Sequence, residues 1–247
     1  MLKIEKATFR YSRLERPVLD HLNLLVHSGD FVAILGANGA GKSTLLKAIS
    51  SQLTLDSGNI LLEGKLLNSV SSSDKAKDIG YVFQNSLAGT FPDMSIKENL
   101  MLATQRGRSG NFCLESLDLA LAHKELKKVD LGLDKKMMSK VSSLSGGQRQ
   151  ALSLIMTTIA PLKVLLLDEH CAALDPRTSD KVMKLSEKII TEKELTCLMV
   201  THNLEHALKY GNRIIILQGG KLKHDISDKS SLSSHDLYDL MYKEVSL

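Results

Sequence analysis

Three short apolar runs punctuate the chain: FVAIL (31–35), the centre of KVLLLDE (163–169) and LTCLMV (195–200). FVAIL has no polar position and predicts a strand buried on both faces, the habit of a parallel sheet, and the other two runs predict strands as well. Other segments alternate instead. LKIEKATFRY (2–11) and VLDHLNLLVHSGD (18–30) predict strands with one wet face, the second ending in a turn. NILLEGKLL (59–67) predicts a strand or hairpin, and DIGYVFQ (78–84) a strand with a polar end. NRIIILQGG (212–220) and KLKHDIS (221–227) predict two more strands.

Between these runs the period lengthens. Residues 42–52 predict a helix with Leu45, Leu46 and Ile49 on one side. The texture changes from about 90 to 143, where SIKENLMLATQRG and ESLDLALAHKEL are helical in pattern and RGRSGNF is a polar turn. Further helices are predicted after Ser145, over DPRTSDKVMKLSEKII (175–190), over NLEHALKYG (203–211) and in the tail SLSSHDLYDLMYKEV (231–245). Strands alternating with helices predict an α/β fold around a mostly parallel sheet with crossovers on both faces. The expected organisation is a single domain over 1–247. Its core is 1–89 plus 144–225, with a helical insertion at 90–143 and a helical tail at 226–247.

The FVAIL strand runs directly into GANGAGKST (36–44), which satisfies the pattern G-x-x-x-x-G-K-[ST] in its required strand-to-helix setting. Gly36, Gly39 and Gly41 let backbone N–H groups turn inward to cradle phosphate oxygens, and Asn38 is expected to bind nucleotide with them. The following helix adds its own free amides and the positive end of its dipole. Lys42 is expected on the β- and γ-phosphates, Ser43 on Mg²⁺ and Thr44 on the α/β-phosphates. The motif by itself specifies only a nucleoside triphosphate.

KVLLLDE sets Asp168 and Glu169 at the end of a buried strand. Asp168 there can hold Mg²⁺ through water, and Glu169 can polarise the attacking water as a general base. A second glycine-rich helix start follows SSLSGGQ, where Ser145, Gly146, Gly147 and Gln148 form another anion-binding turn. One triphosphate does not need two cradles. The simplest solution gives the second one to a nucleotide held by another copy of the chain.

These motifs together resemble the ATP-binding cassette (ABC) ATPases over roughly residues 1–225. GANGAGKST is similar to that family's Walker A loop, YVFQN supplies its Q-loop glutamine Gln84, and LSGGQ (144–148) is its signature. VLLLDE (164–169) resembles Walker B, AALD (172–175) the D-loop with Asp175, and VTHN supplies the switch histidine His202. Tyr11, 31 residues before Lys42, falls where the family places an aromatic that stacks on adenine. By its own pattern that tyrosine is an ordinary aromatic near a strand end.

The resemblance implies a P-loop NTPase cassette in which an antiparallel β subdomain and a helical subdomain flank the parallel core. It implies Mg²⁺-dependent ATP hydrolysis in a head-to-tail homodimer. Each ATP would touch Walker A of one copy and Ser145, Gly146 and Gly147 of the other. His202 would contact the γ-phosphate, and Gln84 would sense Mg²⁺ and nucleotide. The helical subdomain would accept a coupling helix from an integral membrane permease. Where many relatives carry Pro-Thr-Ser after the glutamate, this chain has His170, Cys171 and Ala172. Beside the chemistry, His170 is expected to be a packing or surface histidine. DEHCAALDPRTSDKV and THNLEHALKYGNRIIIL resemble a branch of bacterial uptake systems paired with a permease and a periplasmic or lipid-anchored binding protein, some of them linked to aromatic amino acids.

Composition narrows the alternatives. A net charge of +4, 4% aromatic residues and no Trp argue against a nucleic-acid partner. A cassette acting on nucleic acid or ribosomes is the competing class, and neither a second cassette nor sustained heptads are present to support it. Cys113, Cys171 and Cys197 are scattered with no CxxC spacing, which fits a reducing compartment. No apolar run approaches the roughly 18 residues needed to span a bilayer, and MLKIEKATFRYS lacks the apolar core of a signal peptide. The expected location is the cytoplasmic face of the membrane, docked on the permease.

Overall fold

The computed structural model describes residues 1–12, 14–70, 72–106, 119–127 and 129–243. Cys113 and most of the RGRSGNF turn lie outside them, as do the start of the ESLDLALAHKEL segment and the last four residues. The chain divides into two compact units, one formed by Met1–Ser72 with Thr196–Leu247 and the other by Ser73–Leu195.

The first unit holds two sheets. In the antiparallel one, β1 (Leu2–Phe9) lies between β2 (Leu19–Val26) and β4 (Ser57–Leu62), and β5 (Lys65–Leu66) closes a hairpin on β4. The buried positions of β1 are Leu2, Ile4 and Ala7, and those of β2 are Leu19, Leu22, Leu24 and Val26. Both sets contain one step of three where strict alternation demands two. The ladder absorbs it: the β1–β2 register shifts between Ile4 and Ala7, and Lys6 (φ 47°) and His21 (φ 49°) take left-handed backbone at the step. Each bulge restores the inward phase that a missed step would reverse. Gly58 is required opposite, because a Cβ there would stand 2.3 Å from the Lys6 carbonyl oxygen.

The second sheet of this unit places β3 (Phe31–Leu35) between β8 (Thr196–Val200) and β9 (Arg213–Gln218), both parallel to it, with β10 (Lys221–Ile226) antiparallel on β9. Every residue of β3 and β8 is buried, as a strand covered on both faces requires. Helix α1 (Lys42–Ile49) buries Leu45, Leu46 and Ile49 completely. It stops three residues short of the expected 52. Ser51 turns left-handed (φ 59°), its N–H bonds the Ala48 carbonyl, and the Gln52 N–H bonds that of Lys47. That pair of bonds is a Schellman stop with serine in the usual glycine place. The unit closes with α7 (Leu204–Tyr210) and α8 (Ser234–Tyr242), the latter started by a Ser233–Asp236 capping box.

The second unit begins with α2 (Ser72–Asp78) and is built on a parallel pair, β6 (Ile79–Val82) and β7 (Val164–Asp168), with Val82 opposite Leu167. Helix α5 (Gly146–Thr158) packs on β6 and on α3 (Ile96–Thr104), α4 (Leu119–Lys127) and α6 (Pro176–Glu192). Arg106 fixes its far end: the guanidinium donates to the carbonyls of Thr157, Ala160 and Pro161, and burial lowers its pKa. Helix α6 buries Val182, Leu185, Ser186, Ile189 and Ile190, an apolar stripe of helical period. Among the described residues, no helix is long and apolar enough to cross a membrane.

In the first unit, Arg213 at the head of β9 is the main polar tie. It grips Asp225 through Nε at 2.7 Å and Nη2 at 2.6 Å, and Nη1 donates to Asp30 at 3.1 Å and to the Leu25 carbonyl at 2.7 Å. The Asp225 carboxylate, helped by Asp30, raises the guanidinium's pKa above its ordinary value. Only a planar fork satisfies these acceptors together. Replacing Arg213 with Met should therefore cost about 2 kcal/mol in urea unfolding, and Lys should recover less than half of it.

Candidate functional site

The glycines of the 36–44 loop answer three different demands. A Cβ on Gly36 would lie 2.4 Å from the Leu217 carbonyl oxygen, and one on Gly41 would lie 2.6 Å from that of Val18. Gly39 faces open space and is required only by its φ of 79°. Gly41 is also the N-cap of α1, so no side chain stands over the helix's first amides. An anion can use those amides directly.

Lys42 is 6% exposed and bends back along the loop, its Nζ donating to the carbonyls of Gly36 at 2.8 Å and Ala37 at 3.0 Å. Asn38 and Gly39 form the exposed tip, and Thr44 is buried behind it. The hydroxyl of Tyr11 lies 3.4 Å from Thr44 Oγ1, while its ring meets Phe9 edge-on at 4.8 Å and remains 40% exposed. The tyrosine thus belongs to the loop's surroundings rather than to the core. In the same unit His202 is exposed just past β8, and the next residue, Asn203, caps α7 by accepting from the His206 N–H at 2.9 Å.

In the second unit, β7 delivers two adjacent carboxylates. Asp168 is 9% exposed and accepts from the Tyr81 hydroxyl at 2.7 Å through Oδ2. Glu169 is half-buried, and its Oε2 accepts from Gln84 Nε2 at 3.3 Å. The backbone of Glu169 is left-handed (φ 46°), a strain of roughly 1–3 kcal/mol that surrounding contacts must hold in place. Tyr81 is a partner that the sequence reading left without a role. Its signal was its position three residues before Gln84, on a strand paired in parallel with the acidic one. The carboxylate of Asp168 is an oxygen donor of the kind Mg²⁺ accepts, since that ion takes one or two protein oxygens and completes its shell with phosphate and water.

The SGGQ turn is built as a helix start. Ser145 caps α5: its Oγ accepts from the Gln148 N–H at 3.3 Å, and Gln148 Oε1 accepts from the Ser145 N–H at 3.1 Å. Gln148 Nε2 donates to the Leu131 carbonyl at 2.9 Å. Gly146 has ordinary room for a side chain, but Gly147 has none, since a Cβ there would lie 2.0 Å from Thr178 Cγ2. Thr178 sits in the first turn of α6, which Asp175 caps by accepting from the Thr178 N–H at 3.0 Å. Hydrogen bonds from Thr178, its side chain first, hold the Asp175 carboxyl below its usual range. His170 is buried and hydrogen-bonded to Ser186, so its packing role is met. Cys171 is no nucleophile, because burial pushes its thiol up to about 12.

The structure brings together Lys42 with its loop, Tyr11 with Thr44, Tyr81 with Asp168, Gln84 with Glu169, and Gly147 with the Asp175–Thr178 cap. The hydrogen bonds of Ser145 and Gln148 close on the start of α5 and on Leu131.

The family model described as an ABC transporter matches residues 19–172. The chain is similar to the tyrosine transport ATP-binding protein of Clostridioides difficile (strain R20291), 46% identical over 214 residues that cover 86% of this chain and 85% of that protein. It is 32% identical over 226 residues to the thiamine import ATP-binding protein ThiQ of Photorhabdus laumondii, covering 91% and 90%. Among solved structures it resembles the dimeric ATP-binding cassette MJ0796 bound to ADP and Pi, with a TM-score of 0.81 at 28% identity, covering 92% of this chain and 98% of that one. It also resembles cbiO1 from Clostridium perfringens, with a TM-score of 0.78 at 26% identity, covering 92% and 88%.

The Gly147 contact yields a second-site test. Gly147→Ala should lower stability by roughly 1–3 kcal/mol through overpacking. Thr178→Ser in the same chain removes the offending methyl and should restore most of the loss, as read by thermal unfolding of the single and double variants.

Proposed function

The chain belongs to the ABC transporter ATP-binding family and is an ATPase, and from that premise we propose that it is the energy-coupling subunit of an importer for a small solute. The observation that carries this reading is that one chain holds both a complete phosphate loop and a strand end that presents Asp168 and a constrained Glu169. The relatives' names add the direction, since they are import or transport ATP-binding proteins.

Under this reading the loop amides, Lys42 and Thr44 bind the phosphates, and Tyr11 offers its exposed ring to the adenine. Ser43, Asp168 and Gln84 would hold Mg²⁺, which would neutralise charge on the β- and γ-phosphates. Glu169 takes a proton from the attacking water as its oxygen bonds to the γ-phosphorus. The bond from that phosphorus to the β-phosphate bridging oxygen breaks, and ADP and phosphate leave. His202 donates to the γ-phosphate. Gln84, already bonded to Glu169, connects this chemistry to the helices that follow it.

Ser145, Gly146, Gly147 and Gln148, with Asp175 linked to them through Thr178, are assigned to the nucleotide of a second copy in a head-to-tail homodimer. The exposure of Ser145 and the direction of the α5 start support this, because the amides there suit an anion. The permease is assigned to the 90–143 region. Beside it, Tyr81, Phe83, Phe91, Leu102 and Arg106 line an open groove of about 400 Å³, and Phe91 is 55% exposed. Such a surface suits an amphipathic helix of a membrane partner. The chain would then sit at the cytoplasmic face, with an extracytoplasmic binding protein reached only through the permease.

The cargo proposed is an amino acid, and tyrosine is its first candidate. The tyrosine-transport relative is 46% identical, against 32% for the thiamine and phosphonate import proteins. Cells lacking this chain should lose uptake of radiolabelled tyrosine and keep that of thiamine. Unchanged tyrosine uptake would reject the cargo while leaving the ATPase reading intact.

The chemistry has its own test. Glu169→Gln should bind ATP yet lose turnover by roughly a hundredfold or more, and gel filtration with ATP should show a trapped dimer. Adding Ser145→Arg to that variant should return it to monomer. A persistent dimer would reject the role of the SGGQ turn across the interface.

A further inference from the structure

The residue after Glu169 is a buried histidine that the proposed chemistry leaves unused. His170 is 3% exposed, and its Nε2 lies 3.1 Å from Oγ of Ser186, which is itself fully buried in α6. The Ser186 hydroxyl donates to the Val182 carbonyl at 2.9 Å. A hydroxyl has one proton to give, so the imidazole Nε2–H is the donor in the shared contact. This bond pins the chain immediately after β7 to the middle of α6.

Pinning matters here because of the residue it follows. Glu169 is left-handed at φ 46°, a conformation a glutamate leaves readily unless both flanks are held. On one side β7 is fixed by its ladder with β6, Leu167 opposite Val82. On the other the chain turns at once, the Ala172 N–H bonding the Glu169 carbonyl at 3.0 Å, and the side chain that enters the core at that turn is His170. A proline in this place would restrict the backbone covalently. The histidine does it with a hydrogen bond.

We propose that His170 is a positioning residue for ATP hydrolysis: its hydrogen bond to Ser186 holds the left-handed backbone of Glu169 and so sets the direction of the Glu169 carboxylate. The proposal rests on the reading of Glu169 as general base. His170 takes no proton from substrate in this role, being buried with Nε2 committed to Ser186. Its loss should slow the chemical step and spare nucleotide binding, which belongs to the Lys42 loop.

The test compares steady-state ATP hydrolysis and thermal unfolding of the full-length chain with its variants. His170→Leu keeps the volume and removes the donor. Its kcat should fall roughly ten- to a hundredfold, with the KM for ATP within roughly twofold of wild type. His170→Gln, whose amide can replace Nε2–H, should recover most of the rate. Ser186→Ala should shift kcat in the same direction as His170→Leu, and the double variant should be no slower than His170→Leu alone. A His170→Leu chain with wild-type kcat overturns the proposal. So does a kcat loss that His170→Gln does not recover, or one accompanied by an equal rise in KM. Glu169→Gln is measured in parallel. If that variant still turns over, the general-base reading fails and the positioning role falls with it. If it is dead while His170→Leu runs at full speed, only the positioning role is rejected.

Discussion

Complete burial of three strands governs where chemistry can appear in this chain. Every side chain of β3, β7 and β8 is covered, so none can carry a charge along its length without losing several kcal/mol of solvation. Charged groups are confined to the ends of these strands and the residues that flank them. β3 ends in the phosphate loop, β7 ends in Asp168 and Glu169, and β8 is followed by His202. The same constraint explains the glycines. A strand packed on both faces leaves its exit loop pressed against neighbouring backbone, and Gly36 and Gly41 sit under carbonyls that admit no Cβ.

Most of this was legible in the residues. The buried runs, their polar ends and the helix after each loop stand where the hydrophobic pattern put them, because parallel strands advertise themselves by continuous burial. What escaped were stops and phase changes. α1 and α6 both end on left-handed residues that are not glycine, Ser51 (φ 59°) and Glu194 (φ 51°). The helix signal at those ends is therefore silent, and α6 runs on to Glu192 where the pattern suggested 190. The bulges at Lys6 and His21 could be inferred only from a three-residue step in an alternating strand. α2 shows no apolar periodicity over SSDKAKD, so nothing marked it.

The candidate site divides in the same way. The loop that holds Gly36 and Lys42 and the strand end that holds Asp168 and Glu169 were readable as elements, because a phosphate loop and an acidic strand end each leave a fixed spacing in the sequence. Tyr81 was not, since it reaches Asp168 across two strands 87 residues apart in sequence. Nor was the reason for Gly147. Its anion-binding reading is sufficient from sequence, yet the structure adds a packing demand from Thr178 that makes any side chain there costly. His170 looked like a packing histidine, and it is one. The strained backbone beside it could be seen only in three dimensions.

The contact between Gly147 and Thr178 has a mechanical consequence. Thr178 carries the amide that Asp175 caps, and its methyl fills the space above Gly147. The front ends of α5 and α6 are thereby keyed together like cog and notch. A shift of the SGGQ turn toward α6 would press on the Thr178 methyl, and so on the turn that Asp175 caps.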